Sequence, residues 1–596
     1  HEPDLIGAPE SPVAIGRHAD ELGLSIDVFQ PFLEFEGLSG DARKRAFQRL
    51  DAKLDLMSAI GARTLLVGSS THPDSDGDPD AIGEDFSELA SSVGKANCRA
   101  AIIALPWARH MKSETAALEV VEKVDSPHLG LALNSLFSLA DGSRPARLRD
   151  IPGERLFHVQ LSDAPMLNFN LTQNQNQSGL LPGQGALNLS GFVRVLARAG
   201  YQGPWSVANI GDSAQGSRET YARDGFRALV SLLDEVALTE PALAAPLPAL
   251  PPRVTPKGIE FIEFAVDEHA RTTLSEMLTG LCFRKERQHV SKSVELWRQG
   301  AINLVLNSES AGFAADAFAE HGPSVCDIGL RVSDAGQTVA RATQLGAPAF
   351  SQTVGSGELD IPAIKGVGGS VVHFIDERSD LHRVWDIEFQ PVPTTEAVPP
   401  AGLRRIDHIA QTMRYQEMQS WLTYYTSTFK MEKAPLVDVA DPSGVILSQA
   451  LASPECEVRL NLNGAGERRT FAGAFLADQF GAGVQHIAFQ TDDIFETSRH
   501  LDESQFQRLQ VPDNYYDDLA ATFSLDAETI EALRFGHILY DRDGDTEYFQ
   551  IYSVPIFRGF FFEVVQRKKG YQGYGARNAP VRLAAQLRNK KERQRT

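Results

Sequence analysis

A chain of 596 residues, 42% hydrophobic and 23% charged, exceeds what one core can organise and is expected to divide into three to five compact units. Its formal charge of -21 argues against a nucleic-acid partner, because phosphate binding needs a basic surface. With no run of about 18 apolar residues, no charged-then-apolar leader and four scattered cysteines without CxxC spacing, the expectation is a cytoplasmic protein with reduced thiols and no membrane association.

Up to residue 237, β-rich runs at 24–29, 64–68, 99–105, 129–134, 155–160 and 205–209 alternate with helical patterns such as 42–60 and 190–199. Alternating βα units predict a parallel sheet of the TIM-type (β/α) barrel, whose chemistry sits at the C-terminal strand ends. Six units are countable, so the expected barrel lacks its first units. His110 and Asp163 are polar residues near strand ends, and hydrogen bonding within the fold is the role expected of both.

A Pro/Ala-rich stretch at 238–256 reads as a linker, since proline interrupts helix and central strand alike. A second linker is expected at 391–402. Between and after them the texture changes to short strands with occasional helices. IDHIAQTM at 406–413 is echoed by VQHIAFQT at 484–491, and more weakly by FIEFAV at 261–266 and VCDIGLRV at 325–332. Four such openings predict four copies of one βαβββ module, two in 257–390 and two in 403–580, an α+β half joined to the α/β barrel. Residues 581–596 form a basic tail, expected as a solvated helix end.

His408 and His486 hold the same place in two repeat copies, so their imidazoles are expected to face one interior. Glu563, in FFFEVVQR, breaks an aromatic run where an ionised carboxylate is costly without a cation or partner. Two imidazoles and a carboxylate with open positions are the facial triad of non-haem Fe(II) oxygenases. Fe(II) is the expected metal, with magnesium, manganese and cobalt open. Modules one and two are expected to have no such triad.

GVQHIAFQTDDI (483–494), NYYDDL (514–519), ILYDRDGDTEYFQIYS (538–553) and FFFEVVQRKKGYQGYGARN (560–578) resemble 4-hydroxyphenylpyruvate dioxygenase, a vicinal-oxygen-chelate enzyme. The resemblance implies that His408, His486 and Glu563 bind Fe(II), and that a 2-keto acid and O2 are the reactants. It also implies substrate-binding roles for Ser448, Asn463, Gln485, Gln550 and Tyr574. One family glutamine is replaced by Phe471.

VFQPFLEFEG (28–37), ALPWARH (104–110), LGLALNSLFSL (129–139), IPGERLFHVQLSDAP (151–165) and LPGQGALNLSGF (181–192) extend the resemblance over the whole chain. The match is to bacterial two-domain 3-dehydroshikimate dehydratases, in which a sugar-phosphate-isomerase-like barrel is fused to a hydroxyphenylpyruvate-dioxygenase-like domain. That family's barrel binds metal through Glu, Asp, Gln and Glu. Here those positions carry Ile103, Asn134, Gln160 and Ala208, and only Gln160 remains. The family's arginine is Leu33, its histidine is Phe137, and its basic run before PGQG reads NQNQSGL. One neutral amide among apolar side chains cannot hold a divalent ion, so the barrel is expected to be inert. The site expected to be intact is the C-terminal one, acting on an aromatic or cyclic 2-keto acid. The alternatives are an active dehydratase forming protocatechuate and a non-catalytic metal-binding partner. A homo-oligomer is expected.

Overall fold

In the computed structural model, residues 5, 7–165, 179–208, 217–393 and 399–593 are described. Contacts divide the chain into His1–Ala249 and Leu250–Thr596. Residues 174–178 of the NQNQSGL run lie outside the described residues, as do Asn209 at the end of the sixth expected strand, 394–398 of the second linker and the last three tail residues.

The first unit carries six parallel strands in sequential order: β1 (Val28–Phe32), β2 (Thr64–Gly68), β3 (Arg99–Ile103), β4 (Leu129–Asn134), β5 (Leu156–Leu161) and β6 (Trp205–Val207). Every residue of β2, β4 and β5 is buried, as expected of a parallel sheet covered on both faces. Helix Gly40–Ile60 buries Ala46, Leu50, Met57 and Ile60 at helical spacing and stops at Gly61, whose φ of 78° suits a residue without Cβ. Helix Pro79–Lys95 starts where the Asp78 side chain accepts a hydrogen bond from the Ala81 N–H. The first strand begins four residues later than 24–29 predicts. It includes Pro31, whose missing N–H is tolerated because β1 pairs only with β2 among the described residues.

The second unit holds two nine-stranded sheets. The first runs β12-β13-β14-β11-β7-β10-β9-β8-β15, comprising β7 (Gly258–Ala265), β8 (Arg284–His289), β9 (Val294–Gln299), β10 (Ile302–Asn307), β11 (Ser324–Arg331), β12 (Ala349–Phe350), β13 (Ala363–Lys365), β14 (Val371–Ile375) and β15 (Phe389–Pro391). The second runs β17-β19-β20-β16-β21-β24-β23-β22, with β18 against β19. Its strands are β16 (Leu403–Arg414), β17 (Glu432–Lys433), β18 (Val437–Asp441), β19 (Gly444–Ala452), β20 (Arg459–Ala465), β21 (Gly483–Thr491), β22 (Leu539–Asp543), β23 (Thr546–Tyr552) and β24 (Phe561–Lys568). The four sequence echoes fall on β7, β11, β16 and β21, each followed by a helix. In both sheets the two opening strands pair antiparallel at the centre. No described helix is long and apolar enough to cross a membrane.

Just beyond β1, Glu36 is 3% exposed; its Oε1 accepts from the Ser70 N–H at 2.5 Å, while Oε2 has no partner. Burial pushes this carboxyl up to about 7, against the pull of the Ser70 N–H and helped by the charges of Glu34 and Asp85. The folded state therefore holds a proton that the unfolded chain releases above its ordinary value of 4.5. Stability is highest below that value and falls as pH rises toward 7, by up to about 3 kcal/mol. A pH series of urea-unfolding midpoints should show this slope, flattened in Glu36→Gln; parallel slopes for the two proteins would refute the assignment.

Candidate functional site

Strand β16 is buried along Ile406–Met413, so Asp407 and His408 are both enclosed, and an irregularity in the ladder between Ile406 and His408 leaves Asp407 without a partner on β21. His408 lies opposite Ala488 of β21, and Ala488 lies beside Glu563 of β24. This register brings three ligand atoms together. His408 Nε2 and His486 Nε2 are 3.3 Å apart, and each lies 3.5 Å from Glu563 Oε2. The centre of such a triangle is about 2 Å from each corner, the length of a bond from a first-row metal to nitrogen or oxygen. Among the described residues this is the one group of three His, Cys, Asp or Glu whose ligand atoms converge, all within 4.8 Å. The donor set therefore fits a divalent metal.

Each member is held by its surroundings. His408 Nδ1 lies 2.8 Å from Asp407 Oδ1, which keeps the proton on Nδ1 and leaves the Nε2 lone pair facing the cluster. Burial alone would raise the Asp407 carboxyl. The Arg567 guanidinium, which grips both its oxygens at 2.8 Å, and the His408 hydrogen bond outweigh that and hold it far below the carboxylate range. The His408 imidazole titrates above its ordinary value: burial opposes this, but hydrogen bonds to Asp407 and Glu563 prevail. Burial, then the charges of His408 and Arg582, push His486 well below its ordinary value, so it stays a neutral donor. His486 Nδ1 has no hydrogen-bond partner, and its ring is oriented by stacking on Phe561, centroids 4.7 Å apart. Glu563 Oε1 accepts from Gln550 Nε2 at 2.9 Å.

A cavity of about 90 Å³ opens onto the cluster. Ser448, Asn463, Gln485 and Tyr574 lie on its wall, as does Phe471 at the start of helix Phe471–Asp478. Ser448 Oγ donates to Asn463 Oδ1 at 2.8 Å, and Thr412 Oγ1 to Gln485 Oε1 at 2.8 Å. The Tyr574 ring stands edge-on to His408 at 5.6 Å. Gln550 is the exception among the expected substrate contacts. It is 1% exposed and off the wall, because its amide is shared among Glu563, Tyr552 and Asn578.

Sequence reasoning missed Asp407, Arg567 and Arg582. Arg582 lies on the cavity wall, sits over the rings of Phe561 and Tyr552, and has no carboxylate partner among the described residues. Its position in the basic tail concealed it. The available signal was helical spacing, since Ala579, Arg582 and Leu583 all line the cavity from one helix face.

In the first unit the positions of interest fall at C-terminal strand ends. Ile103 closes β3, Asn134 closes β4, Gln160 is near the end of β5 and Ala208 follows β6. Asn134 Nδ2 donates to Gln160 Oε1 at 3.2 Å, and Gln160 Nε2 to Gln30 Oε1 at 2.9 Å, a relay of neutral amides. Phe137 packs edge-on against Trp107 at 5.2 Å, and Leu33 is 37% exposed. Asp163 accepts four backbone N–H groups, from Ala164, Gly183, Gly185 and Leu187, at 2.9–3.0 Å. His110 Nε2 contacts the Ser75 carbonyl at 2.8 Å.

Three family models match the chain: a xylose isomerase-like TIM barrel over residues 6–232, the N-terminal part of hydroxyphenylpyruvate dioxygenase over 252–390, and the glyoxalase/bleomycin resistance protein/dioxygenase superfamily over 405–544. A 3-dehydroshikimate dehydratase of Pseudomonas aeruginosa is 38% identical over 592 residues, covering 98% of this chain and 93% of the relative. A 4-hydroxyphenylpyruvate dioxygenase of a Pseudomonas species is 35% identical over 332 residues, 54% of this chain and 91% of the relative. A solved xylose isomerase-like TIM barrel/4-hydroxyphenylpyruvate dioxygenase fusion protein superposes with a TM-score of 0.90 at 36% identity, covering 99% of this chain and 94% of that one. With such identity along nearly its whole length and the same two-part organisation, the chain belongs to the bacterial two-domain 3-dehydroshikimate dehydratase family.

Proposed function

We propose that the working centre of this protein is the C-terminal cluster, a divalent-metal site of the dioxygenase type acting on a cyclic or aromatic 2-keto acid, and that the barrel is catalytically inert. The observation that carries the first part is the convergence of His408 Nε2, His486 Nε2 and Glu563 Oε2 on a point at metal-bond distance. His408, His486 and Glu563 would hold the metal, with Fe(II) the first choice by donor set and by likeness to hydroxyphenylpyruvate dioxygenases. When bound, that metal supplies Lewis acidity and, if iron, the redox chemistry with O2.

The chain's own residues prepare this site. Asp407 fixes the His408 tautomer. Arg582 places an unpaired positive charge on the wall, which favours an anionic substrate such as a 2-keto acid. The Ser448–Asn463 and Thr412–Gln485 pairs offer hydrogen bonds to substrate oxygens. Tyr574, Ala579 and Leu583 cover the cluster and limit water.

A second reading is favoured by the 38% identity to a protein named 3-dehydroshikimate dehydratase: an active lyase forming protocatechuate from the barrel. It needs a barrel metal. Ile103, Asn134, Gln160 and Ala208 offer two neutral amides and two aliphatic side chains, and the amides already satisfy one another. No acid or base replaces the lost groups at these positions.

Two outcomes are expected. Glu563→Gln keeps the side-chain shape but removes the charge that anchors the ion. Iron per chain should fall by more than the roughly tenfold that even an outer-sphere partner contributes, with the thermal midpoint retained. Unchanged metal content would exclude this carboxylate as a ligand. The full-length protein supplied with Mg²⁺, Mn²⁺ or Co²⁺ should form no protocatechuate from 3-dehydroshikimate; turnover of about 1 per second or more, an ordinary enzyme rate, would restore the lyase reading.

A further inference from the structure

The first pair of modules repeats the frame of the metal cluster with different chemistry. In the second pair, Ala488, two residues beyond His486, lies between His408 and Glu563. In the first pair, Gly329, two residues beyond Asp327, lies between Phe261 and His373. The three ligand positions are therefore occupied by Phe261, Asp327 and His373. The substitution is accommodated: a Cβ on Gly329 would meet the Phe261 ring at 2.3 Å, so glycine makes room for it.

This frame opens onto a cavity of about 360 Å³, larger than the one at the metal cluster. Six carboxylates line it, those of Glu263, Glu309, Asp327, Glu358, Asp360 and Glu388, against Lys292, His289 and His373. Lys292 is committed to Glu358 at 2.8 Å, and His373 Nδ1 to Asp327 Oδ2 at 2.5 Å. Asp327 is 4% exposed, and its other oxygen, Oδ1, has no hydrogen-bond partner. A buried carboxylate oxygen left so is costly unless a donor reaches it. Glu263 Oε1 accepts from Asn307 Nδ2 at 2.9 Å and, more weakly, from Cys326 Sγ at 3.8 Å. Burial, and then the charge of Asp327, push its carboxyl up to about 7, against the Asn307 hydrogen bond and the positive charges of His373 and Lys292.

A divalent metal does not fit, because the first ligand position is a phenyl ring and no three ligand atoms converge here. Aromatic faces do line the cavity. Phe261 packs edge-on to Trp385 at 5.8 Å, and Trp385 lies 5.3 Å from Phe389. Aromatic faces beside unpaired carboxylate oxygens are the surroundings that organic ammonium groups select.

We propose that this cavity is a second ligand site, binding a small organic cation: a protonated amine that donates to Asp327 Oδ1 and Glu263 while its apolar body lies against Phe261, Trp385 and Phe389. The acidic lining excludes the 2-keto acids proposed for the metal cluster, so the two sites take ligands of opposite charge.

The test uses the full chain with benzylammonium as probe and benzoate as its anionic counterpart, followed by titration calorimetry and thermal midpoint. One benzylammonium per chain should bind, benzoate should not bind at this cavity, and His408→Ala should leave benzylammonium binding unchanged. Asp327→Asn should weaken it by about tenfold or more, the usual cost of a lost charged hydrogen bond. If Asp327→Asn fails to fold, Glu263→Gln serves instead, since its hydrogen bond with Asn307 can persist. Absence of benzylammonium binding, equal binding by the folded variants, or saturable Mn²⁺ binding that displaces the amine from the His408→Ala protein would each overturn the proposal.

Discussion

The C-terminal site depends on the burial of Asp407. This carboxylate is 1% exposed, in a strand enclosed on both faces, and is tolerable there because Arg567 meets it through two parallel hydrogen bonds and the buried Arg459 guanidinium lies 3.7 Å away. Once ionised, it fixes the His408 ring through Nδ1. Arg567 in turn donates to the carbonyls of Tyr571 and Gly573 and lies over the rings of Tyr548 and Tyr574. One ion pair thus joins β16, β24 and the segment leading to helix Ala579–Arg593. The elements carrying a ligand, its orienting partner and the cavity cover are set together rather than independently.

The same frame without that pair behaves differently. In the first module pair the position of His408 holds Phe261, and the position of His486 holds Asp327, whose imidazole partner His373 satisfies only one of its oxygens. No guanidinium closes the second oxygen. A repeated backbone therefore presents a His/His/Glu cluster that fits a metal on one copy and an aromatic, acidic cavity on the other. The difference comes from single substitutions at register-equivalent positions, with Gly329 replacing Ala488 to admit the larger ring.

Much of this was legible in the sequence for a simple reason. The HIA repeat placed His408 and His486 on equivalent strands, and Glu563 interrupted an aromatic run, so charge amid apolar residues pointed to the cluster. Ser448, Asn463, Gln485 and Tyr574 reach the cavity wall, whereas Gln550 turns to Glu563, because a buried carboxylate competes for the nearest amide. Asp407 escaped notice because β16 is buried on both faces and lacks the polar–apolar alternation that marks an outward residue. Its partner Arg567 lies 160 positions away, a pairing no local pattern reveals. In the barrel the alternation of strand and helix located all six strands, but β1 runs past the expected end at residue 29, because an edge strand accepts Pro31.

The packing of the barrel is separable from the chemical groups at its strand ends. Its main core lies between the strands and the covering helices, with Leu50, Met57, Phe86, Leu89 and Phe192 fully buried among strand residues such as Leu65, Val67 and Val159. None of these depends on what occupies the C-terminal strand ends. There the ends are closed by hydrogen bonds internal to the protein, Asn134 to Gln160 to Gln30, and by the Trp107–Phe137 contact. Neutral amides satisfy one another at little electrostatic cost, whereas clustered carboxylates without a metal would repel and lose solvation. If the metal site is lost, as proposed, replacing its acids with amide and aliphatic groups relieves that repulsion, and helix–sheet packing, which never involved the metal, suffices to keep the barrel folded.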